Sequence, residues 1–120
     1  MTVARIDRDR LAEELAANED VVAALAENGD ISSIVRGIDL HFKGDETNIE
    51  MLANNADTLG FRFLGFAEYE DGDLAADLQI DSTSDREAIA ALTRRALEIE
   101  ILHAVEFDGW GCHAETGLED

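Results

Sequence analysis

Proline is absent from this chain, and cysteine, tryptophan and tyrosine each occur once. A single cysteine cannot form an intramolecular disulfide, which excludes a disulfide-stapled scaffold and fits a reducing compartment. Without proline or a Ser/Gly-rich run, no segment resembles an interdomain linker. No apolar run is long enough for a transmembrane helix or a signal peptide, so we expect a soluble, cytoplasmic protein that does not contact membranes.

Basic residues are also scarce, with 9 Lys and Arg against 28 Asp and Glu and a formal net charge of −19. Binding to nucleic acid depends on Lys and Arg displacing counterions from phosphates, so this balance argues against direct nucleic-acid binding. The same charge favours a basic protein partner, which it attracts at long range. The alternative is that the acidity reflects solubility or adaptation to a salty cytoplasm.

The chain does contain enough apolar residues, 46% of 120, to build the core of one domain. Apolar residues recur at helical spacing within residues 7–28, which predicts one helix, or two short ones broken near Asn18. We therefore expect an N-terminal helical segment over residues 1–30, a folded domain over residues 31–115 and a short acidic tail over residues 116–120.

Within residues 31–115 the pattern switches between strand and helix. Ile38, Leu40 and Phe42 alternate with polar residues, as in a half-buried strand. Helical spacing follows, two strands are then joined at an Asp-Gly turn, and Ser84 with Glu87 forms a capping box before another helix and a last strand. The order β-α-β-β-α-β predicts an α+β, ferredoxin-like sandwich: a four-stranded antiparallel sheet, in strand order 4-1-3-2, with two helices on one face.

The other face of such a sheet is open, and strict alternation along each strand assigns residues to it. The assigned polar residues are Asp39, His41, Asp77, Gln79, Asp81, Glu106 and Asp108, and the apolar ones are Leu64, Phe66 and Trp110. RNA-recognition domains share this topology, but they stack bases on aromatic residues of the central strands. The central positions here are acidic or polar, which argues against RNA binding.

Residues 105–115, VEFDGWGCHAE, contain the only tryptophan between two glycines. Gly109 and Gly111 alternate with Trp110, which is typical of a bulge or of a backbone that another element approaches closely. On the open face, Trp110 would either pack beneath the N-terminal segment or anchor a partner.

We expect no catalytic residue, bound metal or cofactor. Cys112 and His113 are adjacent in a strand, so their side chains point to opposite faces and cannot form a Cys-His pair. Their spacing also fits no closed zinc site. Two alternatives stay open at this point: an enzyme that uses Cys112 or His41, and a ferredoxin-like module that binds a small ligand or a metal.

Three strings carry a resemblance to a known family: Leu59-Gly60-Phe61, Glu70-Asp71-Gly72-Asp73 and, above all, Phe107-Asp108-Gly109-Trp110-Gly111. Over residues 34–115 the chain resembles the regulator of ribonuclease activity B family, also called ribonuclease E inhibitor protein B. The resemblance implies a ferredoxin-like fold and an acidic protein that binds endoribonuclease E and lowers its activity or remodels its complex. Familiar members have a longer acidic C-terminal extension than the residues that follow Glu115 here.

These observations together predict a non-enzymatic acidic regulator. Its expected partner is a ribonuclease E-type endoribonuclease or another basic RNA-processing protein. The residues predicted to bind that partner are Asp39, Phe66, Asp77, Asp81, Glu106, Asp108 and Trp110.

Overall fold

Three helices and four strands build the protein, whose structure is a computed structural model that describes residues 5–117. The elements are α1 (Arg8–Glu27), β1 (Arg36–Gly44), α2 (Glu46–Leu59), β2 (Arg62–Glu68), β3 (Leu74–Ser82), α3 (Arg86–His103) and β4 (Glu106–Gly111). The strands form one antiparallel sheet in the order β2-β3-β1-β4. The predicted α+β, ferredoxin-like topology and its strand order are confirmed.

The core lies between one face of the sheet and the helices. In β1, the predicted inward residues Ile38, Leu40 and Phe42 are at most 1% exposed, and the residues between them are half-buried. Helices α2 and α3 contribute Ile49, Leu52, Ala56, Ile89, Ala96 and Leu97 to the same layer. Since burying a large apolar side chain contributes about 1.5–3 kcal/mol, the alternating pattern of β1 fixes which face of the sheet the helices cover.

The N-terminal helix α1 runs without a break through Asn18. The side chain of Asn18 is buried, and its Nδ2 donates a 2.9 Å hydrogen bond to Oγ1 of Thr93 on α3. An asparagine whose amide is satisfied by another helix does not compete with its own backbone, so the helix continues. Ile6 and Leu11 pack against the main core, which places α1 beside α3 on the helical side of the sheet.

The start of α3 differs from the predicted capping box. Asp85, one residue later than expected, is the N-cap, and its carboxylate accepts a 3.1 Å hydrogen bond from the N–H of Ala88. A carboxylate is favoured there because it satisfies a free N–H and interacts with the positive end of the helix dipole. Ser84 is buried instead, and its hydroxyl donates a 2.6 Å hydrogen bond to Asp30.

Asp30 and Arg36 form a buried ion pair that fixes the segment between α1 and β1. Their side chains are each 3% exposed, and Nη1 of Arg36 lies 2.6 Å from Oδ1 of Asp30. Asp30 also accepts a 2.8 Å hydrogen bond from the N–H of Glu115. Burial alone would raise the pKa of Asp30, but the hydrogen bonds from Ser84 and Glu115 and the charge of Arg36 lower it below its usual value. This network joins α1, α3 and the residues after β4.

The predicted division into residues 1–30, 31–115 and 116–120 stays a prediction, and residues 1–4 and 118–120 lie outside the described part. Within residues 5–117, none of the helices has the length and apolar composition needed to cross a membrane.

Candidate protein-binding face

The face of the sheet that carries no helix is polar and charged, and we call it the open face. It comprises Asp39, His41, Lys43, Arg62, Asp77, Gln79, Asp81, Glu106 and Asp108. The strand register brings these side chains together because paired residues of neighbouring strands point to the same side. All five carboxylates predicted to bind a partner therefore lie on one surface.

A hydrogen-bonded chain crosses one end of the open face. Arg62 on β2 donates from Nη2 to Oε1 of Gln79 at 2.6 Å and to Oδ1 of Asp81 at 2.8 Å. Gln79 in turn donates from Nε2 to Oδ1 of Asp39 at 2.7 Å. The Arg62 guanidinium holds the pKa of Asp81 below its usual range. The carboxylates of Asp39 and Asp81 thus already accept hydrogen bonds from other side chains of the protein.

In the middle of the open face, His41 on β1 is hydrogen-bonded through Nδ1 to Oδ1 of Asp77, its pairing partner on β3. The two side chains are 45% and 42% exposed. Beside them, Nζ of Lys43 lies 3.3 Å from Oδ2 of Asp71 and 4.4 Å from the centre of the Tyr69 ring. Lys43 is therefore drawn toward the β2-β3 turn.

Glu106 and Asp108 on β4 are the least neutralised carboxylates of the open face. Both residues are exposed, and within residues 5–117 neither carboxylate has a hydrogen bond or an ion pair. Glu106 pairs with Lys43 in the strand register, but the ammonium of that lysine points to Asp71. The β4 side of the face is therefore the side with free negative charge.

A bulge in β4 decides the position of Trp110. Phe107 pairs with Phe42 and Trp110 pairs with Leu40, so the register shifts by one residue between them. Gly109 within this bulge has a φ of 101°, a conformation that L side chains rarely adopt. The predicted place of Trp110 on the open face is wrong, because strict alternation does not allow for the extra residue. Trp110 lies on the helical side.

Trp110 is half-buried and packs against the main core and against a smaller core cluster formed by Ile38, Ile89 and Leu92. Its Nε1 donates a 2.8 Å hydrogen bond to Oδ1 of Asn18 on α1. Of the two roles considered for this side chain, the structure supports packing beneath the N-terminal helix. The packing takes place on the helical side of the sheet, not on the open face as predicted. No heavy atom lies within 4 Å of a Cβ built on Gly109 or Gly111, so a close backbone approach is not the reason for these glycines.

A second bulge, in β2, moves Phe66 in the same way. Phe63 pairs with Leu78 and Gly65 pairs with Asp77, which leaves Leu64 as the extra residue. Phe66 then pairs with Ala76, a core residue on the helical side, and so it does not belong to the open face as alternation predicted. Phe66 is 50% exposed at the edge of the sheet, and its ring centre lies 4.6 Å from that of Phe63.

A sequence model of one protein family, described as regulator of ribonuclease activity B, matches residues 15–112. The chain belongs to this family. It is 28% identical to the regulator of ribonuclease activity B of Photobacterium profundum over 116 residues, which cover 90% of this chain and 86% of that protein. It is 34% identical to the protein of the same name from Pseudoalteromonas atlantica over 108 residues, 85% of this chain and 92% of that protein.

The resemblance stated from residues 34–115 is confirmed, and the family match begins earlier, within α1. The matched residues therefore include Asn18, which binds Trp110 of the glycine-flanked string. This hydrogen bond is a physical reason why α1, which lies outside residues 34–115, belongs to the same folded unit as that string.

Sequence reasoning missed Arg62 as a residue of the open face. Arg62 lies two positions before Leu64 in the same predicted strand, and alternation assigns both residues to the same face. The sequence could therefore have predicted a basic side chain among the carboxylates of the open face. The Asp30–Arg36 pair had no such signal, because nothing in its spacing predicts that both side chains are buried.

The reactive side chains of this family member give little support to the alternatives. Burial raises the pKa of the Cys112 thiol, in spite of the nearby Arg36. Cys112 also packs against the smaller core cluster of Ile38, Ile89 and Leu92. A protonated thiol is a poor nucleophile. Among the described residues no cluster of His, Cys, Asp and Glu could hold a metal ion. A cleft between α1 and α3, lined by Leu15 and Val22, measures about 110 Å³, which is below the range of ligand pockets.

Proposed function

We propose that this protein is a non-enzymatic regulator that binds a ribonuclease E-type endoribonuclease and modulates its activity. Membership in the regulator of ribonuclease activity B family supports a ribonuclease as the partner. The observation that carries the mode of binding is the open face, where five carboxylates and two basic side chains share one exposed surface.

The open face suits a basic protein segment better than it suits RNA. Its carboxylates would repel phosphates, and the net charge of −19 adds a long-range field of the same sign. A basic segment of a nuclease, by contrast, gains attraction to Glu106 and Asp108, whose charges are not neutralised within residues 5–117. Binding to such a segment would compete with the nuclease's own hold on RNA, which gives the regulation a simple electrostatic cause.

The residues that we propose for this contact are Asp39, Asp77, Asp81, Glu106 and Asp108. Trp110 is left out because it packs beneath α1 and donates its indole N–H to Asn18. Phe66 lies on the helical side of the β2 edge, where it can contact only a partner that also reaches around that edge. We place the regulation in the cytoplasm, where a single reduced cysteine is expected.

A titration of the protein into purified ribonuclease E tests the proposal. Binding and RNA cleavage are followed together at a low and at a moderate salt concentration. We expect saturable binding that weakens with salt, together with a changed rate of cleavage. The absence of binding at low salt would overturn the proposal, and cleavage of RNA by this protein alone would overturn its non-enzymatic part.

A further inference from the structure

The backbone groups at the two edges of the sheet differ in how far other residues cover them. At the β4 edge, the N–H of Phe107 donates a 2.7 Å hydrogen bond to Oε2 of Glu100, and its carbonyl accepts a 3.0 Å hydrogen bond from Nη2 of Arg10. Arg10 and Glu100 also pair with each other at 2.9 Å. Side chains from α1 and α3 thus block the backbone groups that another strand would need.

The β2 edge has no such cover. Tyr69 donates its N–H to the carbonyl of Asp73 across the turn, so its backbone points toward β3. Because backbone groups alternate along a strand, those of Phe66 and Glu68 point away from the sheet. Within residues 5–117 no side chain or backbone group bonds to them. A row of free donors and acceptors therefore remains beyond the bulge, over Gly65–Glu68.

The side chains beside this edge differ between its two sides. On the helical side, Phe63 and Phe66 are 39% and 50% exposed, and their rings pack against each other. On the open side, Gly65 has no side chain, and no heavy atom lies within 4 Å of a Cβ built on it. The carboxylate of Asp77, the pairing partner of Gly65, is consequently reachable from the edge. On the helical side the edge thus presents two aromatic rings, and on the open side the nearest acidic group is the Asp77 carboxylate of the neighbouring strand.

Negative charge also marks the far end of β2. A cleft of about 110 Å³ at the β2-β3 turn is lined by Glu46, Glu68 and Asp73, together with Tyr69, Gly72 and Leu74. A Lys or Arg side chain that leaves an added strand near Glu68 would meet these carboxylates. The charge distribution therefore points to a basic guest, not to an acidic or a neutral one.

We propose that the β2 edge binds an extended segment of a basic protein, in which apolar residues alternate with Lys or Arg. The segment adds a fifth strand to the sheet, with its apolar side chains on Phe63 and Phe66 and its alternate basic side chains on the open side near Asp77, while the carboxylates of the cleft at Glu68 add attraction at the end of the strand. This inference rests on the proposed function, in that the guest is a segment of the regulated nuclease. A second copy of the chain is a poorer occupant, since it would bring the same net charge of −19 and the same bulge to the contact.

The test uses the acetylated peptide amide Lys-Val-Lys-Val-Lys-Val-Lys as a probe with the full chain, and the analogue with Glu in place of Lys as its control. Binding is measured by calorimetry, and the exchange rates of the Phe66 and Glu68 amide hydrogens are measured by NMR. We expect the basic peptide to bind, the acidic one not to bind, and exchange at these two amides to slow on binding.

Two methylated peptides distinguish edge pairing from plain charge attraction. One has N-methyl groups on the Val residues and the other on the inner Lys residues. An added strand turns the N–H groups of only one set toward β2, so one of these peptides loses binding while the other retains it. Equal binding of both methylated peptides would overturn the proposal.

Protein variants give the matching evidence. Glu68→Pro removes an outward N–H without removing a bond to β3, and we expect about tenfold weaker binding. Glu68→Gln keeps that N–H and should weaken binding by only about twofold. Gly65→Arg, which the structure can accommodate, should also weaken binding, because the new guanidinium pairs with the Asp77 carboxylate and takes the place of a basic side chain of the guest. Binding that is unchanged in both Glu68→Pro and Gly65→Arg would contradict the inference, as would a dimer that Glu68→Pro dissolves.

The nuclease titration separates this inference from the proposed function. If the wild-type protein binds ribonuclease E but Glu68→Pro binds it equally well, the regulator role holds and the edge is not its contact. If the wild-type protein does not bind the nuclease at all, the proposed function fails whatever the peptide does.

Discussion

The indole Nε1 of Trp110 lies 2.8 Å from Oδ1 of Asn18, and this hydrogen bond joins the last strand to the first helix. The amide nitrogen of Asn18 continues the chain to Thr93, whose hydroxyl donates to the carbonyl of Ile89 within α3. Three elements that are far apart in the sequence are thus held by one fully satisfied polar chain. The tryptophan of the glycine-flanked string is therefore a structural residue.

Replacement of Trp110 should lower stability more than it changes partner binding. We expect Trp110→Ala to reduce the free energy of unfolding by about 3 kcal/mol, because it leaves a cavity at a half-buried site. Trp110→Phe retains most of the packing but leaves the amide oxygen of Asn18 without its donor, at a cost of about 1–2 kcal/mol. Urea unfolding measures both values. A stable Trp110→Ala variant that no longer binds its partner would contradict this account.

The bulge in β4 predicts different responses from its two glycines. Gly109→Ala places a side chain at a φ of 101°, and we expect a loss of about 2 kcal/mol from backbone strain. Gly111→Ala is the matched control, because Gly111 is not among the residues with positive φ and has equally free space. It should change the free energy of unfolding by less than about 0.5 kcal/mol. Equal losses at the two positions would show that the bulge conformation is not the cause.

The buried Asp30–Arg36 pair predicts a dependence of stability on acid. The pKa of Asp30 is lowered in the folded protein from a usual value of 3.8. The unfolded chain therefore binds the proton first, and the stabilisation is present above pH 3.8 and is lost as the pH falls through the folded-state pKa. Asp30→Asn should cost about 3 kcal/mol at neutral pH, because it leaves Arg36 buried without its counter-charge.

Acid titrations of the free energy of unfolding check this prediction. The wild type should lose stability more steeply below about pH 4 than Asp30→Asn, since the variant lacks the titrating carboxylate. Asp20→Asn is a suitable control, because Asp20 is exposed on α1 and has no ion pair within the described residues. Parallel acid curves for the wild type and Asp30→Asn would contradict the role of this pair.

The elements and their order could be predicted because they depend on periodicity, which is a local property. Ile38, Leu40 and Phe42 alternate with polar residues, and each of them is buried as expected. Gly60 ends α2 in the left-handed conformation that glycine favours. These signals are complete within a few residues and need no knowledge of the rest of the chain.

The composition of the two sheet faces could not be predicted fully, because alternation fails wherever a strand gains a residue. The bulge at Gly109 turns Trp110 inward, and the bulge at Leu64 turns Phe66 to the helical side. The glycine-flanked tryptophan did suggest a bulge, but the sequence did not show on which side the ring would then lie. Carboxylates outside the shifted positions, such as Asp77, were assigned correctly.

The central claim is that the open face itself, and not the total negative charge, binds the nuclease. Two variants with the same change in charge test it most directly. One carries Asp77→Asn, Glu106→Gln and Asp108→Asn on the open face, and the other carries Glu13→Gln, Asp20→Asn and Glu50→Gln on the exposed sides of α1 and α2.

The measurement is the dissociation constant of each variant with purified ribonuclease E at low salt. We predict that the open-face variant binds about tenfold more weakly than the wild type and that the helix variant stays within about twofold of it. Equal affinities of the two variants would contradict the claim.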